Sequence, residues 1–363
     1  MSTLAQPTPL ARILMDRIAR EGPITVREYM DLCLHHPEHG YYRTRTAIGA
    51  AEDFITAPEI SQVFGELIGL WAAVVWQQMG SPARVRLVEL GPGRGTLMRD
   101  ALRAALAVPA FRGALEAMLI EPNATLQAVQ RATLGGVDVP VRWCAGLEAL
   151  VDHHPAAPTI VIANEILDVI PVTQLVRTDG GWVERGVGVN DASRLVFGMV
   201  RSVTAPLIAV EARPGDIVEL RDSSAFTGPL HLLADAAPLA GLFIDYGYLG
   251  PAVGDTFQAI RAQRYEDPLA APGTADLTAH VDFAAFAADA RAAGLSVDGP
   301  RTQAEFLGAL GIVERTSRLM AGNSAAAASL EAATARLIAP TGMGAHFKAI
   351  GVRSPGLPPL PGL

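Results

Sequence analysis

An α/β fold with a mostly parallel sheet covered on both faces is what this 363-residue chain implies. Three observations imply it. From residue 85 onward, short apolar runs at 85–90, 117–121, 139–143, 159–164 and 241–246 alternate with helical stretches. The first run leads into a glycine-rich turn and then an amphipathic segment. The stretch 172–222 breaks the rhythm with three short segments, 174–177, 182–189 and 195–200, joined by Asp179-Gly180-Gly181 and Asn190-Asp191. That pattern is an antiparallel β-meander inserted between core elements.

Residues 1–80 are expected to be mainly helical. Leu10 to Arg20 is amphipathic and stops at Gly22-Pro23. Thr25, with Glu28 three residues on, has capping-box spacing for the next helix. Residues 35–57 read as an irregular loop, and Pro58 sits in the first turn of another helix. Leu67 to Trp76 is an apolar run too short to span a bilayer, so a buried helix is expected there. The segment from Thr96 to about Ala107 presents Leu97, Met98, Ala101, Leu102 and Ala105 on one face, with Pro109 closing it. After 250 comes a loop rich in Pro and charge, then a helix over 281–293 ended by Gly294 and a last strand over 346–352. The final Pro-rich residues, from Pro355, are expected to lack regular structure and to be disordered or draped on the surface.

Composition narrows the function classes. Half of the residues are hydrophobic, and the net charge is −8 with no basic run. That argues against general nucleic-acid binding, whose electrostatic share needs clustered Lys and Arg. The two cysteines, Cys33 and Cys144, are far apart and are expected to be buried free thiols. No leader or membrane anchor is visible, so a cytoplasmic setting is expected.

The chemistry concentrates at four strand ends. Glu89-Leu90-Gly91-Pro92-Gly93-Arg94-Gly95-Thr96 follows a buried strand and opens a helix. Glycines there let backbone approach a ligand, and the helix start offers N–H groups to an anion. The spacing is E-x-G-x-G-x-G and not the G-x-G-x-x-G of dinucleotide folds, which disfavours a nicotinamide enzyme. It resembles motif I of class I S-adenosylmethionine methyltransferases. Glu89 is placed to order the loop or to orient a cofactor ammonium group through water. Glu121, at the end of the second strand, can accept from both ribose hydroxyls, or it is an ordinary strand-end carboxylate. Leu147 follows the third strand, as an adenine contact or a plain core leucine. Asn164, Glu165 and Asp168 follow the fourth strand. If a helix starts there, Glu165 and Asp168 share a face and could grip a guanidinium, or they serve as an arginine partner and a helix cap. His35, His36 and His39 invite a metal test, but their spacing matches no zinc site and no metal is expected.

Several longer motifs occur in one order: Asp53-Phe54-Ile55-Thr56-Ala57-Pro58-Glu59-Ile60, the glycine loop, Asn164-Glu165-Ile166-Leu167-Asp168, Ile244-Asp245-Tyr246-Gly247, and Pro272-Gly273-Thr274-Ala275-Asp276-Leu277-Thr278. With His36-Pro37-Glu38-His39-Gly40-Tyr41-Tyr42 they resemble the MidA / NDUFAF7 family. The resemblance implies a Rossmann-like class I methyltransferase sheet with S-adenosyl-L-methionine as cofactor, a helical N-terminal region and an inserted antiparallel β-meander. It implies protein arginine methylation of the symmetric dimethylarginine type and a complex I subunit or related protein as partner. The implied cofactor residues are Gly91, Gly93, Gly95 and Glu121, and Asp53, Thr56, Pro58 and Glu59 form a lid or substrate wall. Glu52 stands where the family usually has glycine. The expected layout is a helical region with a lid loop over 1–80, core over 81–171 and 236–353, an inserted element over 172–235, and a tail over 354–363. A small-molecule N- or O-methyltransferase and a non-catalytic SAM-binding assembly factor are the rival readings; oligomeric state stays open.

Overall fold

The computed structural model describes residues 6–44, 56–206 and 210–363. The chain divides into two compact units. One comprises Met1–Phe54, Asp168–Asp222 and Gly250–Asp282; the other comprises Ile55–Leu167, Ser223–Leu249 and Phe283–Leu363. The N-terminal helices therefore group with the β-rich insertion and with 250–282, whereas the residues from 56 to 80, expected in one region with them, belong to the second unit.

The second unit holds the main sheet. Its strands run Ser296–Thr302, Phe347–Arg353, Leu239–Tyr248, Thr159–Asn164, Val85–Leu90, Leu115–Ile120 and Val141–Cys144. The last five pair in parallel, and Phe347–Arg353 is antiparallel to both of its neighbours. Val85–Leu90 is buried at every position, as a parallel strand with both faces covered requires. Chain order reverses between Val85–Leu90 and Thr159–Asn164, so the crevice at their carboxyl ends is the topological switch point where open α/β sheets bind ligands.

Helix Gln62–Gln78 packs on helix Thr96–Ala104 through Gly65 and Gly69. A methyl on Gly69 would come within 2.4 Å of the Ala101 carbonyl oxygen, so only glycine permits this approach. Trp71, Phe64, Phe111 and Phe306 fill the core around them. Pro109 does more than close the preceding helix. It begins a further short one, Pro109–Ala114, where its missing N–H costs nothing. Of the two expectations for the tail, disordered or draped, the structure shows it held against the fold. It has no helix or strand, yet Leu360 is buried, Pro361 accepts from the Trp71 indole at 3.1 Å, and the Leu360 N–H donates to Asp298.

In the first unit, helices Pro9–Glu21 and Val26–His35 share a core with the β-rich insertion, built from Leu14, Tyr29, Met30, Val172 and Val187 among others. Thr25 caps the second helix in a full capping box with Glu28. The meander strands are Val172–Thr178, Gly181–Val189 and Leu195–Val203, joined by Ile217–Arg221 along Val172–Thr178 and by Ile24–Thr25 along Gly181–Val189. The stretch expected as a loop after 250 contains a second small sheet, Gln258–Arg261, Arg264–Glu266 and Asp276–Thr278.

Candidate active site

The glycine loop turns tightly after Val85–Leu90. The Gly95 N–H bonds the Pro92 carbonyl at 2.7 Å, and Gly91, Gly93 and Gly95 have φ of 60°, 50° and 81°. A side chain there would be strained, so the three glycines are a backbone requirement. Gly95 caps helix Thr96–Ala104 and lies on Gln130, whose Cγ would be 3.6 Å from a methyl on it. Nothing lies within 4 Å of a methyl built on Gly93, so that side of the loop faces open space.

Glu89 is buried on the strand before the loop, and burial pushes its carboxyl up to about 8, offset in part by the Met98 N–H. Its Oε2 is buried with no hydrogen-bond partner among the described residues, and so is Oδ1 of Asn164. Glu89 and Asn164 stand at the carboxyl ends of neighbouring strands, where Leu90 pairs with Ala163. Two buried oxygens without partners at neighbouring strand ends are expensive unless a ligand supplies the partner. An ammonium-bearing cofactor such as S-adenosylmethionine, which favours the ionised Glu89, fits that pair of acceptors.

Glu121 is buried at the next strand end. Its Oε1 accepts from the Asn123 N–H at 2.8 Å and its Oε2 from Gln130 Nε2 at 3.3 Å, which sets the direction of the carboxylate. Leu147, also buried, begins helix Leu147–His153 just after Val141–Cys144. Glu121 directly follows one strand and Leu147 opens the helix after the next, at the same sheet edge as the glycine loop.

Asn164 and Glu165 are brought together. Asn164 Nδ2 donates to Glu165 Oε1 at 3.0 Å, and the Ala57 N–H reaches the same oxygen at 3.4 Å. Glu165 has φ 54°, a conformation a glutamate adopts only when its surroundings impose it. The imposing group is Asp245, fully buried, whose Oδ2 accepts from the N–H groups of Ile166 at 3.1 Å and Leu167 at 2.8 Å. No helix starts at this point. The chain bends and turns, so Glu165 and Asp168 do not share a helical face. Asp168 belongs to the first unit, where its carbonyl accepts from the Ala279 N–H at 3.0 Å and from Arg221 at 3.3 Å.

The lid residues divide. Asp53 and the neighbouring Glu52 lie outside the described residues. Thr56 precedes the short helix Ala57–Ile60, Pro58 is in its first turn, and the Glu59 carboxylate accepts from the Thr96 hydroxyl at the start of the glycine-loop helix. This short helix is thereby tied to the glycine-loop helix through Glu59 and to Glu165 through Ala57. A cleft of about 350 Å³ opens beside Ile60, Ser61 and Gln62, with Leu319, Asn323 and Leu330 on its wall. Among the described residues no cluster of His, Cys, Asp and Glu could hold a metal. His36 instead closes its own turn, its Nδ1 accepting from the N–H groups of Glu38 and His39 at 3.2 Å.

Two side chains that organise the candidate site were not singled out in the sequence. Gln130 joins the glycine loop to Glu121, and Asp245 appears there only inside a motif. The available signal for Gln130 was a polar residue four positions after Leu126 on the buried face of helix Ala124–Thr133.

Residues 67–301 match the family described as "Putative S-adenosyl-L-methionine-dependent methyltransferase". The chain is 35% identical to "Protein arginine methyltransferase NDUFAF7, mitochondrial" of Mus musculus, over 94% of this chain and 84% of that one. It is 36% identical to the Homo sapiens protein of the same name, over 86% and 76%. A Burkholderia thailandensis protein crystallised with S-adenosyl-homocysteine superimposes with a TM-score of 0.82 at 29% identity, covering 99% of this chain and 97% of that one.

Proposed function

Because the chain belongs to this family of S-adenosyl-L-methionine-dependent methyltransferases, we propose that it is a protein arginine methyltransferase. When bound, the cofactor supplies an electrophilic methyl group on a sulfonium. The chain's own residues bind, align and expose the nucleophile. Gly91, Gly93 and Gly95 make room at the switch point, Glu121 offers acceptors to a ribose, and Leu147 offers an apolar surface to a base. Glu89 and Asn164 hold buried acceptors for an ammonium group. Glu165 receives the substrate guanidinium. A carboxylate pairing with two guanidinium nitrogens draws positive charge toward them and leaves the third nitrogen's lone pair more available. Thr56, Pro58 and Glu59 wall the site.

The observation that carries this reading is Glu165 itself. A glutamate is held in left-handed backbone by Asp245, with its carboxylate aligned by Asn164 and Ala57, at the strand end beside the glycine loop. Conformations of that kind cost roughly 1–3 kcal/mol and persist where function needs the side chain aimed. The reading rests on Glu165 with Asn164.

The motif resemblance supports a respiratory complex I subunit as the target and symmetric dimethylarginine as the product. Cys33 and Cys144, both buried free thiols, are consistent with a cytoplasmic, reducing setting. Methyl transfer from labelled S-adenosylmethionine into extract of a strain lacking the gene tests the proposal. Label in one protein, released on hydrolysis as symmetric dimethylarginine, supports it and identifies the target. Label confined to the low-mass fraction overturns it in favour of a small-molecule methyltransferase.

A further inference from the structure

Gln130 is completely buried, and each end of its amide is committed. Its Nε2 donates to the Gly93 carbonyl at 2.8 Å and to Glu121 Oε2 at 3.3 Å. Its Oε1 accepts from the Trp143 indole at 2.8 Å. A glutamine amide can turn over and exchange its oxygen for its nitrogen. An indole N–H can only donate, so Trp143 forces the oxygen toward itself and the two amide hydrogens toward the glycine loop and Glu121. Trp143 is fixed in turn by strand pairing with Leu119 and by the Arg131 guanidinium, 4.5 Å above its ring. One side chain thus spans three successive elements of the sheet edge: the glycine loop, the end of Leu115–Ile120 and the strand Val141–Cys144.

We propose that Gln130, oriented by Trp143, is the positioning residue that sets the Glu121 carboxylate and the Gly93 peptide in one geometry, and so makes the site selective for a nucleoside with free ribose hydroxyls. The proposal rests on reading Glu121 as the ribose-binding carboxylate. Gln130 touches no ligand in this role. It removes the rotational freedom that a carboxylate would otherwise lose on binding, and it holds the loop peptide that the same ligand must pass.

The test compares S-adenosylhomocysteine with its 2′-deoxyribose analogue by calorimetry, in the wild type, Gln130→Met and Trp143→Phe. The wild type is expected to prefer the ribose form. Gln130→Met leaves buried groups unpartnered and is expected to weaken S-adenosylhomocysteine by roughly ten- to a hundred-fold, with the preference for the 2′-hydroxyl largely lost. Trp143→Phe releases only the amide's orientation and is expected to fall between the two. It carries the test if Gln130→Met fails to fold, which melting without ligand reports. Preference in the wild type that survives undiminished in the folded variants overturns the role of Gln130 and leaves Glu121 in place. No preference in the wild type overturns the ribose reading of Glu121 and the proposal with it.

Discussion

Replacing Gly91 or Gly93 with alanine separates two functions of the loop that look identical in sequence. Both residues have positive φ, so each substitution carries the left-handed penalty of ~1–2 kcal/mol. Their surroundings differ. A methyl on Gly93 meets nothing within 4 Å, whereas a methyl on Gly91 lands 2.8 Å from Ile166 Cδ1. Ile166 is half-buried, so its side chain can give way, at the off-rotamer cost of ~0.5–1.5 kcal/mol. Gly91→Ala is therefore expected to be the more destabilising in urea by that increment. Ile166→Val, which removes Cδ1, should return it in a double-mutant cycle. The activities should divide as well. Ile166 follows Glu165 and its N–H is held by Asp245, so Gly91→Ala is expected to lower the transfer rate. Gly93→Ala puts its methyl into the open space beside the loop, where the cofactor is proposed to lie, and is expected to weaken S-adenosylhomocysteine binding first. Equal stabilities for the two variants, with no coupling between Gly91→Ala and Ile166→Val, would refute the reasoning.

The other predictions concern charged groups. Glu165→Gln removes the negative charge proposed to receive the guanidinium; transfer is expected to fall by at least two orders of magnitude while S-adenosylhomocysteine affinity stays within a few-fold, and parallel loss of both would place Glu165 in the cofactor site instead. With its carboxyl pushed up to about 8, Glu89 is mostly protonated at pH 7. A cationic ammonium favours the ionised form, so binding should release a proton and affinity should rise with pH up to about 8, flattening above. Calorimetry in buffers of different ionisation heat measures the release, and Glu89→Gln should abolish both effects. Lys348, the lone lysine of the chain, is buried with its ammonium donating to the carbonyls of Gly247, Ala345 and His346 at 2.7–3.0 Å. Its peptide should resist amine-reactive reagents while folded and label on denaturation; labelling at the rate of a free lysine would contradict the burial.

The parallel core was the most legible part. Val85–Leu90 and Thr159–Asn164 fall on their expected boundaries, because a strand covered on both faces must be apolar throughout and these are. The sheet over 258–278 was hidden because its strands are three or four residues long and separated by Pro and Asp, too short to show alternation. Helices Ile312–Gly322 and Ala327–Ile338 bury few side chains and lack side-chain caps, so no start signal marks them. Around the candidate site, the glycines and strand-end acids were visible because their spacing follows the strand-to-helix turns. The conformation of Glu165 was not, since it is imposed from Asp245, which lies far along the sequence on another strand. Gln130 looks like any polar helix residue until Trp143 and Glu121 are seen on either side of it.

Phe347–Arg353, the last strand of the chain, hydrogen-bonds between Leu239–Tyr248 and Ser296–Thr302, both made earlier. A polypeptide emerging from the ribosome therefore cannot seal its sheet progressively. Until residue 353 is out, Leu239–Tyr248 waits with one flank of N–H and C=O groups exposed, an invitation to pair with a neighbouring chain. Premature termination before 347 would yield a species for the proteolytic machinery and not a shortened catalyst. A holdase that shields that flank during synthesis would raise the yield of active protein more than one acting on the finished fold.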